Sequence, residues 1–271
     1  MATEIGGAQL GIVIGDGSGA DPDQFNAISQ FFQGYYSTQT AVTPSQATQP
    51  GEQVIVTDLG RTLYTFDSAT APTIKFKGNA DGAVGTGSGN TIKAGDGDND
   101  IIITDNAAKT VNLGAGNDFL QATGSGSVTV NAGSGDDSVV GSSSSDNIKG
   151  GSGSDYLQGK GGNDIINGGN GKDVIAGGAD NDTMTGGNGN DIFIIGKDDT
   201  GVDLITDFKK GDILQIVDRN GDAAGVGVET IVHNTELNTI TVTIQGGETV
   251  ILEKIKDKQD LQDNGDGTFS L

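Results

Sequence analysis

The chain has 271 residues and a formal net charge of −22, with 37 acidic against 15 basic side chains, so nucleic acid and anionic membrane surfaces are poor partners. Cysteine is absent, which excludes disulfides and thiolate metal sites. Only 33% of residues are hydrophobic while 47 are glycine, so an ordinary globular core of this length is not expected.

Residues 1–50 have a grammar of their own. Ala8 to Gly15 reads as a short strand followed by a GDGSG turn. A helix is expected next, with Asp21 as N-cap, Pro22 at the first helical position and Gly34 as its stop. Phe25, Ile28 and Phe32 then share one face. Two readings stand for this segment: a cap on the end of the central region of the chain, or a docking element for another subunit. Ser37 to Pro50 is rich in Thr, Gln, Ser and Pro and reads as a linker. Residues 1–20 lack a basic stretch and a continuous apolar stretch, so no secretory signal peptide is expected there. No run approaches the ~18 apolar residues of a membrane-spanning helix. Residues 51–84 hold alternating segments (VIVT, RTLYTF, TIKFK) that predict strands leading into the central region.

From residue 85 to 195 the chain repeats every nine residues. The best copies are GGSGSDYLQ from Gly150, GGNGKDVIA from Gly168 and GGNGNDIFI from Gly186. Counting by nines, with one inserted residue, meets Asp100, Asp118, Asp137, Asp146, Asp155, Asp164, Asp173, Asp182 and Asp191, interrupted only by Lys109 and Val128. Two residues beyond each position lies an apolar side chain: Ile102, Val111, Leu120, Val130, Val139, Ile148, Leu157, Ile166, Ile175, Met184 and Phe193. A strict aliphatic at every ninth position belongs to a stacked solenoid and not to a polar linker.

The spacing carries its own chemistry. Parallel strands stack about 4.7–4.9 Å apart, so a coil of two repeats would place equivalent carboxylates in single file at that separation. Two unit charges ~5 Å apart repel by roughly 3 kcal/mol at an effective dielectric of ~20. Calcium takes oxygens at about 2.3–2.6 Å, near half that step, and accepts backbone carbonyls beside carboxylates. Glycine lets the turns adopt conformations that aim those carbonyls inward. Sorted by coil, one file is Asp100, Asp118, Asp137, Asp155, Asp173 and Asp191. The opposite file is Lys109, Val128, Asp146, Asp164 and Asp182. The expected roll is therefore lopsided, with up to five inter-loop sites on one edge and two on the other. Lys109 either replaces a metal with its ammonium or is a solvated surface residue, and the second reading is preferred.

These glycine, aspartate and aliphatic positions resemble the nonapeptide of RTX proteins, the haemolysin-type calcium-binding repeat family. The resemblance covers about two fifths of the chain. It implies a parallel β-roll in which the first six residues of each repeat form a calcium-binding turn and the last three a short strand. The implied ligands are the file aspartates with Gly151, Gly153, Gly169, Gly171, Gly187 and Gly189 of the best turns. DLITDFKKGDILQIV, from Asp203, is similar to the segment that closes many such rolls, and its Asp203 and Asp207 are further candidate calcium ligands. The resemblance also implies export by type I secretion machinery through an uncleaved C-terminal signal. The ending Thr268, Phe269, Ser270 and Leu271, after an acidic stretch containing lysine, has that character.

Residues 196–271 are expected to form an antiparallel cap from ETIVHN, NTITVTIQ and ETVILEKI, with Gly246 and Gly247 at a hairpin turn. Asp218, Asn220, Asp222 and Glu229 match four positions of an EF-hand loop, but Ala223 stands where that loop needs glycine, so a polar turn is the better reading. His233 is the single histidine, no GxSxG elbow exists, and 84 residues upstream of the repeats are too few for a lipase or protease domain. The expectation is an all-β, calcium-binding, non-catalytic protein at the cell surface, assembling with itself into a surface layer or filament. A calcium-dependent adhesin or an accessory module of an exoenzyme system is the alternative.

Overall fold

The computed structural model describes residues 90–103, 106–197, 199–217, 228–245, 248–255, 261–264 and 267–271, together with the backbone of the strands Ala41–Val42, Gln53–Val56, Thr62–Thr65, Thr73–Phe76 and Asp81–Gly85. The expected strand at 8–15, the helix at 21–34, the linker and most of the EF-hand-like stretch lie outside these residues. Every regular element among the described residues is a β-strand, and none is a helix that could cross a membrane.

The chain winds between two sheets of 12 strands each, and through the repeats it enters them alternately. Each strand there pairs in parallel with the strand two further on. Leu157 lies opposite Ile175 in one sheet and Ile148 opposite Ile166 in the other, so one coil is two nonapeptides. This is the parallel β-roll expected from the repeat. The strands expected as a lead-in are coils of the same stack. Gln53–Val56 pairs in parallel with Thr73–Phe76, and Thr62–Thr65 with Asp81–Gly85, which in turn pairs with Asp100–Ile103.

The interior is a narrow file of aliphatic side chains. Val111, Leu120, Val130, Val139, Ile148, Leu157, Ile166, Ile175, Met184 and Phe193 are all buried there, one per nonapeptide. The expected member Ile102 is displaced. Asp100 pairs with Phe119 and Ile101 with Leu120, so Ile101 fills the file and Ile102 faces the other way, beside Gln121. The coil from Asn99 to Asp118 spans 19 residues, one more than two nonapeptides, and that residue shifts the phase.

A second apolar cluster lies outside the file that the period of nine predicts. Val140, Tyr156, Val174, Ala176, Ile192, Ile194 and Val217 are buried on the outer face of one sheet. The outer face of the other sheet is exposed at Thr129, Lys149, Ile165 and Asn167. The asymmetry has a partial sequence signal in the repeat: the residue after the aspartate is Phe119, Ser138, Tyr156, Val174 and Ile192 in one parity, four of the five apolar or aromatic, but Asn147, Ile165 and Thr183 in the other, one of the three apolar.

Beyond the repeats the stack continues. Val202–Ile205 pairs in parallel with Thr183–Asn188, and Ile213–Val217 with Ile192–Gly196. Phe208 meets Phe193 with ring centroids 6.0 Å apart, and the core continues past them through Leu214, Ile216, Val250 and Leu252. Then the direction of pairing changes. Thr249–Leu252 pairs antiparallel with Thr239–Ile244, and that strand with Val228–Asn234, as the alternation of the sequence predicts. Residues 246–247 at the predicted hairpin turn lie outside the described set.

Candidate metal centre

Each edge of the roll carries a file of carboxylates threaded onto backbone amides. On the longer edge Asp118, Asp137, Asp155, Asp173 and Asp191 are buried. Each uses Oδ1 to accept the N–H of the file residue one coil earlier. The donors are Asn99, Asp118, Asp137, Asp155 and Asp173, at 2.8, 2.8, 2.9, 2.9 and 3.1 Å. Asp191 N–H in turn donates to Asp212 Oδ1 at 3.0 Å. The file therefore runs from Asn99 to Asp212. Asp100, expected as its first member, is one residue out of register because of the longer coil. Asn99 takes its place, donating both its N–H and its Nδ2 to Asp118 Oδ1 at 2.8 Å.

The shorter edge repeats the pattern. Val128, Asp146, Asp164 and Asp182 donate their N–H groups to Oδ1 of Asp146, Asp164, Asp182 and Asp203 at 2.7, 2.7, 2.8 and 3.0 Å. Asp203 thus joins this file, as its candidacy for ligation requires. Lys109 lies in register with Val128 at the upstream end. The preferred reading of Lys109 as a solvated surface residue is corrected: it is 3% exposed, and its Nζ donates to Ala107 O at 3.2 Å. Lys160 Nζ lies 3.0 Å from Ala122 O and within electrostatic reach of Asp146.

The second carboxylate oxygen is the informative one. Oδ2 of Asp118, Asp137, Asp155, Asp164, Asp173 and Asp182 is buried with no hydrogen-bond partner. Asp146 and Asp191 differ. Ser142 N–H donates to Asp146 Oδ2 at 2.6 Å, and Lys209 Nζ donates to Asp191 Oδ2 at 3.2 Å. Burial raises the proton affinity of the files: it pushes Asp137, Asp164 and Asp203 up to about 8, Asp173 up to about 7, and Asp118, Asp155 and Asp182 up to about 6. Six buried anionic oxygens without partners need a proton or a cation.

Glycine carbonyls run beside the carboxylates. Gly151, Gly153, Gly169, Gly171, Gly187 and Gly189 all have positive φ, from 96 to 136°. A Cβ built at Gly169 would collide with the carbonyl oxygen of Gly151, and one at Gly187 with that of Gly169. Among the described residues no three acidic or histidine side chains converge on a point, so a metal held here must draw part of its shell from backbone carbonyls. An all-oxygen set of carboxylates and carbonyls, without nitrogen or sulfur, suits a hard cation such as calcium. When bound, calcium would neutralise the files and satisfy the orphaned oxygens.

Asp207 has another part. Both its oxygens accept backbone N–H groups, from Gly186 at 2.9 Å and Gly187 at 2.8 Å, so its charge anchors the turn ahead of Asp191. Asn99, Ser142 and Asp212 are site residues that the period of nine does not mark, and Lys209, two nonapeptides beyond Asp191, stands where the period would place another aspartate. Asp212 has a weaker signal: it follows Asp191 by 21 residues, as Asp203 follows Asp182.

Residues 114–148, 131–166, 140–175 and 158–193 each match the RTX calcium-binding nonapeptide repeat. Residues 114–193 thus carry four copies of that repeat, and its known property supports Ca²⁺ as the cation of the files. Such repeats are typical of extracellular proteins exported by type I secretion. Among curated proteins, none matches the chain.

Proposed function

We propose that this chain is a non-catalytic structural protein that leaves the cell unfolded, folds on calcium outside it, and assembles with copies of itself at the cell surface. Cytosolic calcium is too scarce to satisfy the files, which keeps the chain in an export-competent state. One observation favours assembly. Among the described residues Val228–Asn234 is the terminal strand of its sheet, paired with Thr239–Ile244. Its Ile231 is 42% and Val232 57% exposed, and Leu237 in the turn that follows is 70% exposed. An apolar strand at the edge of a sheet is a template for another strand. Gln53–Val56 stands at the opposite end of the same sheet. A contact between unlike ends is heterologous and propagates into a filament or lattice.

An adhesin is the second reading, favoured by the same exposed strand if a foreign segment pairs with it. Electron microscopy of the purified chain with and without calcium separates the two. Calcium-dependent polymers support the structural reading. Monodisperse particles at all concentrations overturn it in favour of the adhesin.

A further inference from the structure

We propose that Lys209 is a built-in cation, closing the C-terminal end of the longer carboxylate file where calcium serves the earlier coils. The inference rests on the calcium reading of the files. Lys209 Nζ lies 2.8 Å from Gly187 O, 3.2 Å from Asp191 Oδ2 and 3.4 Å from Asp212 Oδ1. Three donors on an ammonium meet three oxygen acceptors. Gly187 is in register with Gly169, and Gly169 with Gly151, so the ammonium touches the carbonyl that recurs at each turn of this edge.

The neighbouring carboxylates show what the lysine changes. Oδ2 of Asp118, Asp137, Asp155 and Asp173 is orphaned, and the next carboxylate along the file, Asp191, is satisfied by Lys209. Asp191 and Asp212 side chains are fully buried, whereas the lysine side chain is 39% exposed, so its stem reaches in from the surface to the buried pair. The residue is held at both ends, because its own N–H donates to Asp212 Oδ2 at 3.0 Å. A tethered ammonium is present at any calcium concentration. The last coil of this edge therefore closes without metal, and the file binds one calcium fewer than its carboxylates would hold.

Calcium stoichiometry of the full chain, measured by isothermal titration calorimetry and equilibrium dialysis, tests this. Lys209→Met keeps the stem and removes the charge, and it should bind one more calcium than the wild type. Lys209→Arg should bind the wild-type number. A wild type that binds calcium while Lys209→Met binds the same number overturns the surrogate and leaves the calcium reading intact. A wild type that binds no calcium overturns the calcium reading itself. If Lys209→Met does not fold in calcium, the double variant Lys209→Met, Asp191→Asn removes the uncompensated charge while keeping an oxygen that accepts the N–H of Asp173. It should regain the fold and the wild-type count, and its failure to fold overturns the proposal.

Discussion

Asp155 accepts the backbone N–H of Asp137 through Oδ1 at 2.9 Å and leaves Oδ2 buried without a partner. One oxygen fixes the spacing of the coils and the other waits for charge compensation. The same carboxylate thus couples the backbone ladder to the cation, and folding and metal binding become one equilibrium.

Asp173→Asn keeps an oxygen that can accept the N–H of Asp155 but removes the charge. Calcium stoichiometry and cooperativity should both fall, read by calorimetry. Lys109→Met should leave the calcium count unchanged and lower stability by about 1–3 kcal/mol, because it deletes a buried donor to Ala107 O. Equal losses of calcium in both variants would contradict the assignment of edges.

The metal-free roll should tolerate acid better than neutral pH. Burial raises the folded pKa values of Asp118, Asp137, Asp155, Asp164, Asp173 and Asp182 to about 6–8, against an ordinary 3.8. A raised carboxylate pKa means the folded state binds more protons than the unfolded one between these values. Its stability is full below about 3.8 and is lost as pH rises through 6 to 8. Circular dichroism of calcium-free protein should show β-sheet near pH 4 that disappears by pH 8, and calcium should restore it. A calcium-free spectrum that is unchanged over this range would sink the idea.

Gly169→Ala places a Cβ at φ 118° against the carbonyl oxygen of Gly151. Strain of this kind costs on the order of 1–3 kcal/mol. The calcium concentration at the folding midpoint should rise accordingly, and a midpoint equal to that of the wild type would show that the turn relaxes freely.

Val232→Lys puts a charge on the exposed terminal strand without touching either file. Calcium-induced folding should persist while polymers disappear from light scattering and electron micrographs. Undiminished polymerisation would locate the contact elsewhere.

The period of nine by itself determined the coil, the aliphatic file and the two edges of aspartates, because each depends on covalent spacing alone. Asp137, Asp155, Asp173 and Asp191 fall on one edge for that reason. Register across irregular coils was decided only by the stack. One added residue before Asp118 moved the file from Asp100 to Asn99, since hydrogen bonding between strands, not counting along the chain, sets which residues face each other. The fate of each second carboxylate oxygen also needed the tertiary structure. Lys209 lies 18 residues, one regular coil, beyond Asp191, yet the repeat expects an aspartate there and assigns no ammonium to that turn. The stack continues in parallel beyond the repeats, with Ile213–Val217 paired to Ile192–Gly196, and a coil of 21 residues from Asp191 brings Asp212 into the file and leaves Lys209 beside it.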